Sequence, residues 1–247
     1  MSNSNRNILL LVEGRKREVQ LFKKMLEAFP EIGISPENII SFETNIWVLY
    51  GKLIKEFGQD WYTQGIDFLT FLQNPSIGMN LNGKAFSDIY LVFDYERQDS
   101  NFSDIGLEHM MSFFNNSTEN GLLFINYPMV ESFYHLKSLP DANYDERFAS
   151  MDELRHKAYK QRVQNEKYAK NYQLCASNRK TCNIVIHQNI EKALYLTHSL
   201  NNNSPFNQSA ILESELNWIA SESKVPVLCT CCFFIPEYQP ALIESDD

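Results

Sequence analysis

Three acids stand where apolar runs give out. Glu13 follows Ile8-Leu9-Leu10-Leu11-Val12 and precedes Gly14, while Asp94 and Glu96 follow Ile89-Tyr90-Leu91-Val92-Phe93. A short apolar run closed by a charge reads as a strand covered on both faces, and open α/β sheets collect their ligands at the carboxyl ends of such strands. Carboxylates are hard oxygen donors suited to Mg²⁺ or Mn²⁺. A few of them, with positions left for water and phosphate, are what metal-assisted phosphoryl transfer requires. Asp94 and Glu96 are two apart and share a side if the strand continues through both. Glu13 then completes the set from a neighbouring strand, as a metal ligand or as a group that moves protons. Glu18, Asp99, Glu131 and His135 are candidates to flank the site. Each acid taken singly has a plainer reading as a solvated charge; the matched strand-end positions favour the metal.

The elements that must position these acids alternate in type. After Gly14, apolar residues Val19, Phe22, Met25, Leu26 and Phe29 recur at helical spacing up to Pro30. Ile39 to Phe42 reads as a second strand. Ile46, Leu49, Tyr50, Leu53, Ile54 and Phe57 mark a second helix. Residues 58–87 read as an insertion. The strand into Asp94 comes next, then a helix through Ile105, Met110, Met111, Phe113 and Phe114, and a strand Leu122 to Ile125 ending at Asn126-Tyr127-Pro128. Strands separated by helices pair in parallel through right-handed crossovers. That topology brings Glu13, the Asp94–Glu96 pair and the Asn126–Glu131 segment to one sheet edge. The fold class expected is α/β: a mainly parallel, Rossmann-like sheet flanked by helices over 1–136, with a mostly helical C-terminal part over 137–247.

In that second part, Ser150-x-x-Glu153 is a capping box that should start a helix running to about Tyr172. A helix over about Ser209 to Ser221 and a late strand over Val225 to Ile235 follow. The 247-residue chain carries a net charge of −9, which argues against a protein that coats nucleic acid indiscriminately. The charge is unevenly spread. Between Arg147 and Lys180 there are nine basic residues against three acids. Arg155, Lys157, Lys160 and Arg162 on the expected helix, and Arg15, Lys16 and Arg17 beside Glu13, are the candidates to neutralise nucleic-acid phosphates, with Tyr159, Tyr168 and Tyr172 placed to stack on unpaired bases. A solvated, charge-rich helix is the alternative. The five cysteines lack the C-x-x-C spacing of a zinc site and read as reduced thiols. No Walker or dinucleotide motif occurs, no apolar run is long enough to span a bilayer, and the amino terminus is not a secretory signal, so a cytoplasmic protein is expected.

Leu11-Val12-Glu13-Gly14, a helix, and then Phe93-Asp94-Tyr95-Glu96 resemble the Toprim domain of topoisomerases, bacterial primases, OLD-type nucleases and small rRNA-maturation ribonucleases. The resemblance covers roughly residues 7–136. It implies a Toprim-like catalytic domain in which Glu13 acts as acid/base or metal ligand and Asp94 and Glu96 hold Mg²⁺. The second acid of the pair is Glu96 where the family has aspartate. Asn126-Tyr127-Pro128-Met129-Val130-Glu131 resembles, less closely, a stretch of RloB-like Toprim proteins of bacterial phage-defence loci. Together these imply a metal-dependent nuclease acting on RNA or DNA, with an ATPase or sensor protein as activating partner. A catalytically silent Toprim-like binding or assembly subunit is the alternative.

Overall fold

A computed structural model of the chain describes residues 7–166, 172–200 and 204–243. Lys167, Tyr168 and Lys170 of the basic segment, Asn201 to Asn203 and Glu244 to Asp247 lie outside the described residues, as does the side chain of Tyr172. The elements of the first part are β1 (Ile8–Val12), α1 (Arg17–Ala28), β2 (Ile39–Ser41), α2 (Ile46–Phe57), α3 (Phe68–Gln73), β3 (Asp88–Asp94), α4 (Asp104–Phe113), β4 (Asn115–Asn116) and β5 (Gly121–Asn126). The sheet order is β2-β1-β3-β5-β4. β2, β1, β3 and β5 run parallel, and the two-residue β4 folds back antiparallel on β5.

The central strands owe their near-continuous apolar sequence to this topology. Crossover helices cover both faces, so every residue of β1 and β3 is buried. α1 begins without a side-chain cap, whereas α2 and α4 are capped by Asn45 and Ser103. Residues 58–87 hold only a short 3₁₀ turn and α3. Their Trp61 ring nonetheless packs against Phe113 and Phe114, which fixes the insertion to the flank of the sheet.

The second part comprises β6 (Phe148–Ser150), α5 (Met151–Arg155), α6 (Ala158–Asn165), α7 (Tyr172–Cys175), α8 (Arg179–Thr197), α9 (Gln208–Glu222), β7 (Lys224–Pro226) and α10 (Phe234–Tyr238). Three expectations change here. The capping box is present, with the Ser150 side chain accepting from Glu153 N–H and Glu153 accepting from Ser150 N–H. The helix it starts is not continuous to Tyr172, however. It stops at Arg155 and restarts at Ala158, because Lys157 adopts a left-handed backbone, φ 56° and ψ 26°. The late strand is only Lys224–Pro226, paired antiparallel with β6; past an isolated bridge between Leu228 and Tyr127, the chain coils into a 3₁₀ turn and α10. Apolar runs of this length do not distinguish a strand from a buried helical segment.

The third change is α8, a 19-residue helix that the sequence pattern did not announce. Its buried face carries polar residues with tertiary partners. Asn189 Oδ1 accepts from Tyr144 O–H at 2.7 Å and from Cys229 N–H at 2.8 Å, while Lys192 Nζ donates to the Tyr144 and Arg147 carbonyls at 2.9 and 2.7 Å. Those residues break the apolar period that betrays an amphipathic helix.

Buried side chains from both parts form one hydrophobic cluster. Phe234 of α10 meets Phe22 of α1 and Tyr90 of β3, with ring centroids 5.4 and 6.2 Å apart, and Thr230 Oγ1 donates to the Ile125 carbonyl at 2.6 Å. The C-terminal segment therefore covers part of the sheet. All five cysteines are free and buried. Among the described residues, no helix is long and apolar enough to cross a membrane.

Candidate metal centre

β1 and β3 are neighbours in register, Val12 beside Val92, so Glu13 emerges next to Asp94 although 81 residues separate them. Glu13 N–H continues the ladder to the Val92 carbonyl at 3.1 Å, and its side-chain Oε2 accepts from Asp94 N–H at 3.1 Å. Asp94 is the last residue of β3 and lies opposite Asn126 of β5. Its Oδ1 accepts from Val130 N–H at 2.8 Å and from Asn126 Nδ2 at 3.4 Å. Three strand ends thus fix two carboxylates.

Glu96 arrives differently from the expectation of strand alternation. β3 stops at Asp94, Tyr95 buries its ring, and its N–H is shared between the Asn126 and Pro128 carbonyls. Glu96 then turns with a left-handed backbone, φ 47°. The turn returns its carboxylate to the centre, where Gln98 Nε2 donates to Oε2 at 2.7 Å. One oxygen each of Glu13, Asp94 and Glu96 lies within 4.8 Å of the others. Each carboxylate gives one oxygen to a protein donor and leaves its second oxygen without a donor among the described residues.

The electrostatics of this trio are those of a site short of positive charge. Burial, with repulsion from Glu96 and Glu18, pushes the Glu13 carboxyl up to about 8 against the pull of the Asp94 N–H. Burial also raises Asp94 well above the ordinary carboxylate range, reinforced by Glu13, Glu18 and Glu96. Glu96 is raised by burial and by Asp99, with Lys157 and Lys160 acting in the opposite sense. A divalent ion favours ionised oxygen ligands and offsets both causes at once. The donor chemistry, the spacing and the charge deficit fit a divalent cation, which Glu13, Asp94 and Glu96 would hold.

The centre opens into a cleft of about 340 Å³ lined from both parts of the chain, by Glu18, Gln98 and Glu131 of the first and by Glu153, Lys157 and Lys160 of the second. A larger groove of about 890 Å³ runs beside α8 and contains none of the three acids. Glu18 lies against Gly14, its carboxylate occupying the space beside that glycine. Glu131 is buried and answers two cations, Arg17 and Lys160, the latter at 3.1 Å. It is an anchor for the cleft's basic side chains and is not in the carboxylate trio. Asp99 accepts from Asn45 Nδ2 at 2.7 Å, which ties the β3–α4 loop to α2.

His135 bonds through Nδ1 to the Tyr159 hydroxyl at 2.9 Å. Glu166 lies 3.7 Å from its Nε2, but burial and the nearby Arg147, Arg162, Lys192 and Lys137 lower the imidazole to about 2, so the ring is neutral. Tyr159 is fully buried, which removes it as a stacking surface for bases. Arg162 pairs with Glu153 at 2.9 Å and donates to the Phe148 carbonyl at 2.7 Å, so its guanidinium holds α6 to β6. Arg15 pairs with Glu43; Lys16 and Arg155 are exposed. Gln98 and Glu153 are cleft residues that sequence reasoning missed, and nothing in their spacing marks them. No known family profile, curated protein or solved structure matches the chain.

Proposed function

We propose that the protein is a Mg²⁺- or Mn²⁺-dependent nuclease that hydrolyses phosphodiester bonds of RNA or DNA. One observation carries this reading: three acids from two strand ends and a turn bring single oxygens within 4.8 Å of one another, in a cleft that Lys157 and Lys160 also line. A bound divalent ion supplies Lewis acidity to a phosphoryl oxygen. Asp94 and Glu96 hold that ion, fixed by Val130, Asn126 and Gln98. Glu13 completes the ligand set or moves a proton. Resemblance of the Glu13–Gly14 and Asp94–Glu96 motifs to Toprim nucleases supports the same reaction class, and from that resemblance alone comes an ATPase or sensor partner.

The test is cleavage of tRNA, single-stranded DNA and duplex DNA in Mg²⁺ or Mn²⁺, with and without proteins encoded beside it. Glu13→Gln and Asp94→Asn are expected to remain folded and to lose activity by about a hundredfold or more. Unchanged cleavage in both variants removes these residues from catalysis. Binding without cleavage under every metal and partner favours a silent binding subunit. The left-handed route by which Glu96 reaches the centre is the observation on that side.

A further inference from the structure

Among the described residues, one cation of the cleft is in no ion pair. Arg17 and Lys160 both answer Glu131, whereas Lys157 is exposed and makes no ion pair among the described residues. Lys157 nevertheless lines the same cleft as Glu13, Asp94 and Glu96. Its field acts on the Glu96 carboxylate.

Its backbone is the second observation. Among the described residues, Lys157 is one of five non-glycine residues with positive φ, and Glu96, which lines the same cleft, is another. L-residues with side chains rarely adopt this conformation; glycine or asparagine is the ordinary choice where a chain must. Lys157 N–H donates to the Leu154 carbonyl at 3.1 Å, so the left-handed residue closes α5, and α6 starts there with no side-chain cap. Without this break, α5 and α6 would be the single helix that the capping box begins. Two charged residues of opposite sign thus reach one cleft from distant parts of the chain, each through a left-handed backbone.

We propose that Lys157 holds a non-bridging oxygen of the substrate phosphate, opposite the carboxylates that hold the divalent ion, so that the ligand bound between them is a phosphate ester. The metal half of this assignment rests on the function proposed above; the lysine half does not. The order of elements gives the two halves to different parts of the chain, so the anion site exists only when residues 137–247 are folded against the sheet.

The experiment titrates the full chain with Mn²⁺ alone, and then with inorganic phosphate or a short single-stranded oligonucleotide lacking terminal phosphates. Lys157→Gly is the informative variant because glycine suits the left-handed backbone. Its melting temperature is expected to equal or exceed that of the wild type, and its Mn²⁺ affinity to stay within about twofold, while affinity for phosphate or oligonucleotide falls about tenfold or more, the range set by a hydrogen bond to a charged group. Lys157→Arg should recover most of the loss. Whichever ligand shows the dependence names the source of the phosphate. Equal affinity in wild type and Lys157→Gly, or binding of neither ligand by the wild type, overturns the assignment. Lys157-dependent binding by a protein that takes up no Mn²⁺ would instead overturn the metal reading and leave the lysine in place.

Discussion

Asp94 is 8% exposed and faces three other acids, so its ionised form is costly until positive charge arrives. Two outcomes follow for stability. Mg²⁺ or Mn²⁺ should raise the melting temperature of the wild-type protein, with about 2.7 kcal/mol of stabilisation at a metal concentration a hundred times the dissociation constant. Asp94→Asn should lose most of that response and, in metal-free buffer, should melt no lower than the wild type, because an amide carries no charge to desolvate. Scanning fluorimetry with and without metal reads both; a wild-type melting curve indifferent to metal counts against the centre. His135 gives a second prediction at this scale. Its folded value is about 2 against an ordinary 6.5, so below pH 6.5 the unfolded chain takes up a proton that the folded one refuses. The stability that depends on the neutral ring is full above that value and declines as pH falls, by up to about 1.4 kcal/mol per pH unit. Denaturant midpoints between pH 7 and 4 should fall less steeply in His135→Gln than in the wild type. Equal slopes would show that the imidazole is not the group refusing the proton.

At the scale of elements, the wall of the cleft that carries Lys157 depends on a helix start that the sequence announces. The Ser150–Glu153 box satisfies backbone donors at the first turn of α5, and Arg162 on α6 then pairs with the same Glu153. Ser150→Ala should lower stability by about 1 kcal/mol, read from urea unfolding. A change of a few tenths would mean that β6 and the Arg162 contacts hold the segment without the cap. Why this box was legible and the break after it was not is a matter of range. The box is made by residues three apart. Arg155-His156-Lys157 contains no glycine or proline to mark a stop, and the contacts that set the direction of α6 come from Phe148, Glu153 and His135. α8 was hidden for a related reason: its buried polar residues serve partners on Tyr144, Arg147 and Cys229, 40 or more residues away.

For the whole molecule, the division at residue 136 does not separate two cores. Phe234 fills space against Phe22 and Tyr90, and the Tyr127–Leu228 bridge and the Thr230 bond to Ile125 attach the C-terminal segment to β5. Residues 1–136 produced alone should therefore lack a cooperative thermal transition, because exposed aromatic surface on the sheet would have no cover; sharp melting of that fragment would show that it folds as a unit. The strand-end position of Glu13 and Asp94, the parallel sheet and the helices before and after β2 were determined by the sequence alone, because apolar runs and helical periods report burial within a few residues of where it occurs. Only the tertiary structure decided that Glu96 reaches the same point through a left-handed turn, that Glu131 anchors cations, that Tyr159 is closed off, and that Lys157 lines the same cleft as the acids. Each of those depends on what lies opposite a side chain, and residues far apart along the chain supply it.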